Sequence, residues 1–281
     1  MSQQQIASES RTRGLPSTLR GATAPGFVLY QGFAEASVGK AMLDDVVEMA
    51  RSAAAGETVE GFVMQESQPN FVGQNPEDRV SKIFKLHRRP AFMEFLRDPR
   101  IAEILVEAIG PEVDCFLAQF IFKNPGAWGQ PWHQDSHYFP FEPARPVVAL
   151  WLAVTKATLD NGCLHILPGS QAEPVHDHIV DRREGSLYGY VEIVDHDMRS
   201  SEPCLLDPGD LLVFDSHLMH RSTDNISNEI RAAMIWHFAA AGTIDLGTDY
   251  GNGKRIQSPV HDWMPLLRAG RLIAEGDSND I

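Results

Sequence analysis

The chain has 281 residues, of which 43% are hydrophobic and 22% are charged, and its formal net charge at pH 7 is −14. This composition lacks both the low hydrophobicity of a disordered protein and the long apolar run of a membrane span. The strong negative charge opposes binding to phosphate backbones. We therefore expect a globular protein with neither nucleic acid nor a membrane among its partners.

The three cysteines, Cys115, Cys163 and Cys204, lie far apart and form no C-x-x-C pair. Such usage gives neither a disulfide framework nor a sulfur-rich metal site, and it predicts a reducing, cytoplasmic location. Residues 1–25 are rich in Ser, Gln and Arg without a continuous apolar stretch, which predicts a disordered N-terminal arm rather than a secretory signal. A transit peptide also fits this stretch, because Glu9 is its only acidic residue.

The first element after the arm is a predicted amphipathic helix over residues 34–56, where Val38, Met42, Val46 and Met49 recur at helical spacing. Two further helical segments are predicted between residues 89 and 110. There Asp98 and Pro99 suit the N-cap and the first helical position, and Gly110 suits the stop. The sequence therefore predicts a helical N-terminal layer over residues 33–110.

Beyond Pro111 the pattern changes to short apolar runs separated by Gly, Pro, Asn and Asp. The runs are CFLAQFIF, VVALWLAV, GCLHILPGS, DLLVF and RAAMIWHFAA. Strands at this spacing without intervening helices favour a sandwich or a jelly-roll barrel, with its core over about residues 111–240. Because no repeat or low-complexity linker interrupts the chain, residues 26–281 are predicted to form a single domain.

The run PWHQDSH contains a histidine and an aspartate two positions apart, His133 and Asp135. On a strand both side chains would leave the same face. Iron(II) in oxygenases favours two imidazoles and one carboxylate, which leave one face of the octahedron open. His220, which follows the predicted strand over residues 210–214, is the candidate for the third ligand.

Arg231 opens the apolar run RAAMIWHF. A guanidinium that enters an apolar barrel needs a carboxylate partner to offset its desolvation, and a dicarboxylic cosubstrate would supply one. His137 offers an alternative, because H-x-D-x-H would place three ligands on one strand face and would suit zinc almost as well as iron. From spacing alone, His137 fits a ligand or a pocket wall equally well.

The other histidines have simpler interpretations. His176 and His178 are predicted to be solvated loop residues, and His165 and His237 to be strand residues in ordinary hydrogen bonds. His217 fits either a residue behind the metal ligands or an exposed one. The aromatic residues around the first motif line a substrate pocket or, as the preferred interpretation, fill the barrel; they are Trp128, Trp132, Tyr138 and Phe139.

In this order the motifs resemble those of the phytanoyl-CoA dioxygenase family of iron(II)- and 2-oxoglutarate-dependent oxygenases. The resemblance covers about Lys82 to Ala240. It rests on WHQDSHYFPF, the tryptophan of ALWLAV, NGCLHILPGS, GDLLVF and the stretch from His220 to Arg231. It implies a double-stranded β-helix, the cupin-like jelly-roll barrel with flanking helices.

The resemblance also implies roles for particular residues. The iron ligands fall on His133, Asp135 and His220, and the residues that bind the cosubstrate carboxylate fall on Arg231 and Ser222. Three more positions match the cosubstrate pocket: Trp151 as a lining aromatic, Gln119 as a polar partner of the 2-oxo acid, and Lys82 as a nearby lysine. His137 becomes a substrate-facing wall residue, with Trp128 and Phe139 as further pocket candidates.

The implied cofactors are Fe(2+), 2-oxoglutarate and O2, and the implied reaction hydroxylates an unactivated C–H bond with release of succinate and CO2. Family members also desaturate, epoxidise or close rings, whereas Asp135 disfavours halogenation because it fills the position that halide needs. We expect a small natural product or other secondary metabolite as substrate. An acyl-CoA is disfavoured, since the chain shows only scattered basic candidates: Arg182, Arg183, Lys82 and Lys85.

Two alternatives from other classes remain open. A cupin-like isomerase or hydrolase would use the same ligands with zinc or manganese and would not need Arg231 as a carboxylate clamp. A non-catalytic 2-oxoglutarate- or iron-binding module would bind the cosubstrate without turning it over.

Overall fold

The computed structural model describes residues 19–20, 23–66, 73–184, 186, 189–249 and 253–273. Its helices are α1 (Ala36–Ala54), α2 (Pro90–Leu96) and α3 (Pro99–Ala108), with short 3-10 helices at Glu77–Arg79, Asp135–Tyr138 and Ser170–Ala172. The strands of the first half are β1 (Phe27–Tyr30), β2 (Phe62–Gln65), β3 (Val80–Phe84), β4 (Val113–Lys123), β5 (Phe141–Glu142) and β6 (Val147–Ala153). The next are β7 (Leu164–Ile166), β8 (Ile179–Val180), β9 (Val191–Glu192), β10 (Glu202–Cys204), β11 (Leu211–Asp215) and β12 (His220–Ser222). The last are β13 (Arg231–Ala240), β14 (Ile244–Asp245), β15 (Thr248–Asp249), β16 (Arg255–Ile256), β17 (Met264–Arg268) and β18 (Arg271–Leu272).

Two antiparallel sheets form the barrel. The main sheet has the order β1-β11-β6-β13-β4-β17-β18, and β3 joins it beside β4 with β2 at its outer edge. The smaller sheet has the order β10-β7-β12. The predicted mainly β jelly-roll barrel, the double-stranded β-helix with flanking helices, is confirmed.

Strand β13 shows why the main sheet has helices on one side. Successive side chains of a strand point to opposite faces, and nearly all of β13 is buried, so both of its faces must be covered. Met234 and Trp236 pack in the cluster shared with the helices, where the Trp236 ring stacks on Phe95 of α2 at a centroid distance of 4.9 Å. Ala233 and Ile235 point the other way into the barrel. The helices therefore cover the outside of the main sheet, and the inside is left for the site.

The predicted helices are present. Met42, Val46 and Met49 form the buried stripe of α1, as their spacing predicted. In α3 the side chain of Asp98 accepts a hydrogen bond from the Arg100 amide, and Pro99 occupies the first turn. No helix in the described part of the chain is long and apolar enough to cross a membrane.

Two regions differ from the sequence prediction. The layer expected to be helical over residues 33–110 also contains β2 and β3, and β3 pairs with β4 in the main sheet. All five residues of β3 are buried, including Lys82. Because a lysine is normally solvated, the sequence did not indicate a strand that is covered on both faces. Strand β17, which lies after the expected end of the core at residue 240, pairs with the first residues of β4, on the edge that faces away from β13.

The described residues near the N-terminus are packed against the barrel. Leu19 and Ala24 are buried, and Nε of Arg20 lies 2.9 Å from the buried carboxylate of Asp215. Packing thus begins before residue 26, the expected start of the domain. Residues 1–18 of the predicted arm lie outside the described residues.

His87 gives a prediction about acid stability. Its ring is fully buried and lies 3.1 Å from Oδ2 of Asp262, but it is not aligned for a hydrogen bond, and neither ring nitrogen has a partner among the described residues. Burial lowers the pKa of His87 from 6.5 to about 4. The unfolded state therefore binds the proton more readily, so the stabilisation present above pH 6.5 is lost as the pH falls through 4.

We expect the free energy of unfolding to drop between pH 7 and pH 4.5, with His87 contributing about 2 to 3 kcal/mol of that drop. Urea unfolding at both pH values, with wild type and His87→Leu compared, measures this contribution. The variant should show a drop that is smaller by about 2 kcal/mol. An equal drop in both proteins would mean that His87 is not the group that titrates.

Candidate active site

His133 and His220 lie side by side where the segment before the second 3-10 helix pairs with β12. His133 and His220 form an antiparallel bridge in which each amide donates to the other's carbonyl, at 2.9 and 3.0 Å. A close antiparallel pair brings its side chains side by side. The ring centroids are 4.2 Å apart, and both rings are buried.

Asp135 completes the cluster. Its Oδ1 lies 3.5 Å from Nε2 of His133 and 3.8 Å from Nε2 of His220. The expectation that His133 and Asp135 share a strand face is wrong, because Asp135 begins a 3-10 helix and His133 pairs only through a single bridge. The turn nevertheless brings the three ligand atoms within 4.8 Å of one another, an arrangement that could hold a metal ion.

Backbone carbonyls orient both rings. Nδ1 of His133 lies 2.8 Å from the Pro131 carbonyl oxygen, and Nδ1 of His220 lies 2.9 Å from that of Leu218. A carbonyl oxygen only accepts, so each Nδ1 carries the hydrogen and each Nε2 presents a lone pair to the centre. Burial lowers the pKa of His220 to about 4, which keeps this ring neutral.

A third histidine supports the carboxylate from behind. Nε2 of His237, on the inner face of β13, donates to Oδ2 of Asp135 at 2.9 Å. Burial by itself raises the pKa of Asp135, but the attraction of His220, which becomes charged below about pH 4, and the interactions with His237 outweigh burial and hold that pKa well below its usual range. The carboxylate therefore stays ionised, with Oδ1 free to face a cation.

Removal of this support should weaken metal binding. Partners of ligating carboxylates typically contribute roughly 10–100-fold in metal affinity, and we expect His237→Ala to lose about that much. Titration with iron(II) under nitrogen measures the change. His237→Gln, which keeps an N–H donor, should recover part of the affinity, and His165→Ala on β7 serves as the matched control. A His237→Ala protein that binds iron like wild type would contradict the role.

Three buried cations lie along the same barrel interior. Lys82, Lys123 and Arg231 have 8%, 3% and 1% of their surface exposed. Arg231 and Lys123 are directly opposite each other on β13 and β4, and Lys82 is opposite Ile121 one strand further. Within the described ranges no carboxylate oxygen lies within 4.0 Å of any of these cations. Such a cluster is costly without an anionic partner.

The Arg231 guanidinium has the clearest unmet requirement. Its Nε donates to the Gly162 carbonyl at 3.2 Å, and its central carbon lies 5.7 Å from the Trp151 ring centre. Nη1 is buried and has no hydrogen-bond partner among the residues described. Burial lowers the pKa of Arg231 to about 10, which still leaves the group charged at neutral pH. A guanidinium held in this way is prepared for a planar anion.

Ser222 is hydrogen-bonded to Lys123, the residue opposite Arg231. Its Oγ accepts from Nζ of Lys123 at 2.8 Å and from the Gln130 amide at 3.0 Å. With both acceptor positions engaged, the hydroxyl hydrogen is directed elsewhere and can be donated to an anion. Burial lowers the pKa of Lys123 well below its usual value, and Arg231 adds to this effect.

Two more predicted residues flank the middle of β13. Gln119 on β4 and Trp151 on β6 are both in register with Ile235, so the three side chains form one row across the sheet. Gly162 lies beyond this row with φ +88°, where an added Cβ would approach Cδ of Lys123 to 2.4 Å. Gly162 therefore allows its turn to approach the cation cluster closely.

Lys82 and Gln130 join the two parts of the site. Oε1 of Gln130 accepts from Nζ of Lys82 at 3.3 Å, while Nε2 of the same amide lies 3.0 Å from Nε2 of His133. Nζ of Lys82 also lies 4.9 Å from the Tyr190 ring centre. Burial lowers the pKa of Lys82 to about 8. The Gln130 side chain thus connects the cations to the His133 cluster.

The three substrate-pocket candidates lie in different surroundings. His137 is exposed and stacks on His178, so it lies outside the metal cluster. Trp128 is half-buried under the Arg183 guanidinium, whose central carbon is 5.0 Å from the ring centre. Phe139 packs in an aromatic cluster and contacts the His237 ring at 5.1 Å, so it fills the barrel.

Three further histidines, His176, His178 and His217, make hydrogen bonds outside the metal cluster. His176 and His178 were expected to be solvated, but both are only partly exposed and hydrogen-bonded: Nε2 of His178 accepts from the Gln134 amide at 3.1 Å. His217 is buried, with Nδ1 3.2 Å from the Glu173 carbonyl oxygen. The functional candidates that the sequence prediction missed are His237, Lys123 and Gln130.

Fold and site together define a double-stranded β-helix protein with a two-histidine, one-carboxylate cluster at one end of its barrel. The family model of phytanoyl-CoA dioxygenase matches residues 23–233. The chain therefore belongs to the phytanoyl-CoA dioxygenase family.

The chain is also similar in sequence to curated proteins that are named phytanoyl-CoA dioxygenase. The peroxisomal phytanoyl-CoA dioxygenase of Bos taurus is 29% identical over 192 residues, which cover 66% of this chain and 57% of the relative. That of Mus musculus is 31% identical over 59% of this chain and 51% of the relative. The chain thus spans a little over half the length of these relatives.

Solved structures share the fold. The non-heme alpha ketoglutarate dependent epimerase SnoN from nogalamycin biosynthesis superposes with a TM-score of 0.59 at 16% identity, over 93% of this chain and 97% of that one. EctD from S. alaskensis, solved with 2-oxoglutarate and 5-hydroxyectoine, gives a TM-score of 0.58 at 18% identity, over 85% of this chain and 76% of that one. At these identities the likeness supports the fold.

Proposed function

We propose that the chain is a mononuclear non-haem iron(II)- and 2-oxoglutarate-dependent oxygenase, with His133, Asp135 and His220 as the iron ligands. The donor set fits, because two neutral imidazoles and one ionised carboxylate present their ligand atoms to one point. A metal ion there would take the place of the Gln130 N–H that now faces Nε2 of His133.

The choice of cosubstrate rests on three buried cations of the barrel interior, Lys82, Lys123 and Arg231, none of which has a carboxylate oxygen within 4.0 Å in the described part of the chain. Along β13 the inner face presents Arg231, Ala233, Ile235 and His237 in turn, so the guanidinium and the histidine that supports Asp135 lie on one face of the same strand. We assign Arg231 and Ser222 to the distal carboxylate of 2-oxoglutarate. Trp151, Gln119 and Lys82 are assigned to the walls between the two ends.

When bound, iron(II) with 2-oxoglutarate and dioxygen supplies the oxidising power to attack an unactivated C–H bond, with succinate and CO2 as coproducts. The chain's own residues would orient the cosubstrate and position the metal ligands. Arg231 would fix one end of the cosubstrate, His237 holds the Asp135 carboxylate, and Gly162 lets its turn lie close to the cation cluster.

We assign a small natural product or other secondary metabolite as substrate, hydroxylated at an unactivated C–H bond. Two of the four basic candidates for binding the phosphates of an acyl-CoA are engaged elsewhere. Arg183 pairs with Asp181 at 2.7 Å and donates to the Gly129 carbonyl, and Lys82 lies inside the barrel. The exposed side chains near the site, such as His137, would face such a substrate.

A cytoplasmic location remains a prediction from cysteine usage. Cys115, Cys163 and Cys204 are all buried, and none of them forms a disulfide. Burial raises the pKa of Cys115 and of Cys163 above the usual range, so both stay as unreactive thiols.

Succinate release tests the proposal. Iron-loaded protein would be incubated in air with 2-oxoglutarate and a panel of secondary metabolites, with phytanoyl-CoA included as the competing substrate class. We expect slow uncoupled succinate formation that a matching metabolite accelerates. Turnover of a metabolite without 2-oxoglutarate would favour the cupin-like isomerase or hydrolase, and cosubstrate binding without any succinate would favour the binding module.

A further inference from the structure

A second group of metal-ligating side chains lies outside the barrel cluster. Glu173 follows the third 3-10 helix, His176 comes three residues later, and His196 lies in the connection between β9 and β10. Nε2 of His176 is 2.8 Å from Oε2 of Glu173, and Nε2 of His196 is 3.1 Å from the same oxygen. We propose that these three residues form a second metal site, which takes a divalent transition-metal ion of the zinc type.

The distances suit such an ion. The three ligand atoms lie within 4.8 Å of one another. In a tetrahedral site with bonds of roughly 2.0–2.1 Å, neighbouring ligand atoms are about 3.3 Å apart. The carboxylate-to-imidazole distances of 2.8 and 3.1 Å need only small adjustments to reach that value. Two imidazoles and one carboxylate with a water in the fourth position is a common zinc donor set.

Exposure leaves space for that water. The side chains of His176, His196 and Glu173 are 25%, 19% and 39% exposed, so an ion can enter from solvent while its ligands stay positioned. The contacts of His196 are concentrated here, because its Nδ1 is buried without a hydrogen-bond partner in the described part of the chain. Its ring therefore makes its polar contacts through Nε2, the atom that faces Glu173.

The backbone that carries two of the ligands is held independently of any ion. Gln134, which is fully buried, accepts from the His176 amide at 2.8 Å and donates to the Pro174 carbonyl at 3.1 Å. His217 contacts the Glu173 carbonyl through Nδ1 at 3.2 Å. The segment is thus preorganised, and an ion would add the His196 connection to it as a cross-link.

This arrangement also relates the second site to the first. Gln134 lies in the chain between His133 and Asp135, so the segment clamped by the second ion is hydrogen-bonded to the side chain of the residue between two barrel ligands. No residue is shared between the two clusters. We infer a structural ion that stiffens this part of the active-site wall.

Zinc stoichiometry tests the inference. Equilibrium dialysis of the full chain against zinc, followed by metal analysis, should give two ions per wild-type chain and one for Glu173→Gln, which keeps the shape of Glu173 and one acceptor oxygen but not the charge. In a His133→Ala/His220→Ala background one ion should remain, and adding His196→Ala should lower its affinity at least a hundredfold. His165→Ala is the matched control and should change nothing.

Circular dichroism establishes that each variant is folded, and the Glu173→Gln result stands even if the double-alanine background fails to fold. A wild-type chain that binds a single zinc ion, with the same ion retained by Glu173→Gln, would overturn the proposal. So would a second ion that is retained by both Glu173→Gln and His196→Ala, because that ion would be held elsewhere.

Discussion

Arg231→Met should bind 2-oxoglutarate much more weakly than wild type while the protein without cosubstrate becomes no less stable. Loss of a bidentate, charge-assisted contact costs about 3 kcal/mol, or roughly a hundredfold in Kd. The guanidinium is 1% exposed and its Nη1 lacks a partner among the described residues, so the unliganded protein bears the cost of burying that charge. Methionine fills a similar volume without the charge.

The two readouts together separate a binding residue from a structural one. Isothermal titration with 2-oxoglutarate gives the affinity, and thermal unfolding with and without the cosubstrate gives the stability. Arg231→Lys keeps the charge but not the planar fork and should lie between wild type and Arg231→Met. If Arg231→Met were destabilised without cosubstrate and bound it normally, the guanidinium would be a structural group of the barrel.

Asp135→Asn should abolish iron binding under conditions that saturate the wild type. The amide has the shape of the carboxylate and can still accept from Nε2 of His237, so the fold around it should be kept. It lacks the charge that offsets the metal ion among neutral imidazoles, and an amide oxygen is a poorer ligand for iron(II). We expect a loss greater than the roughly 10–100-fold assigned to His237→Ala, because a direct ligand is removed.

Iron analysis after gel filtration and thermal unfolding measures both quantities. The variant should elute with little iron and unfold as cooperatively as wild type. An Asp135→Asn protein that retains a full equivalent of iron would indicate that the metal is held elsewhere, with the Glu173 cluster as the first place to look.

The sequence predicted which side chains come together better than it predicted their local structure. Spacing brought His133 and Asp135 together through a strand argument, whereas the structure joins them through a bridge and a 3-10 turn. The two geometries give the same outcome because either can turn residues at positions i and i+2 toward one point. Arg231 begins β13, as its place at the start of an apolar run had predicted, whereas His220, predicted only to follow a strand, itself begins β12.

The supporting residues were missed for identifiable reasons. His237 looked like an ordinary strand histidine, although it lies six residues after Arg231 and therefore on the same face of β13, a signal that could have identified it. Lys123 stands at a strand end before Asn124 and Pro125, where a lysine is normally solvated. Only the pairing of β4 with β13 places it opposite Arg231 inside the barrel.

The cluster of Glu173, His176 and His196 illustrates a different limit. Two of its members are close in sequence, but the third comes 23 residues after Glu173 and reaches it through loop packing. No periodic pattern records such a contact, so His176 was predicted to be solvated. The long-range hydrogen bonds of Gln134, which fix this loop, are likewise invisible in the sequence.

The most direct measurement is visible spectroscopy of the purified protein with iron(II) and 2-oxoglutarate in the absence of oxygen. The account predicts a weak metal-to-ligand charge-transfer band, which requires iron and the 2-oxo acid in one complex, and it predicts that His133→Ala abolishes the band. Folded, iron-loaded protein that shows no band, or a His133→Ala variant that retains it, would contradict the assignment of this site to iron and 2-oxoglutarate.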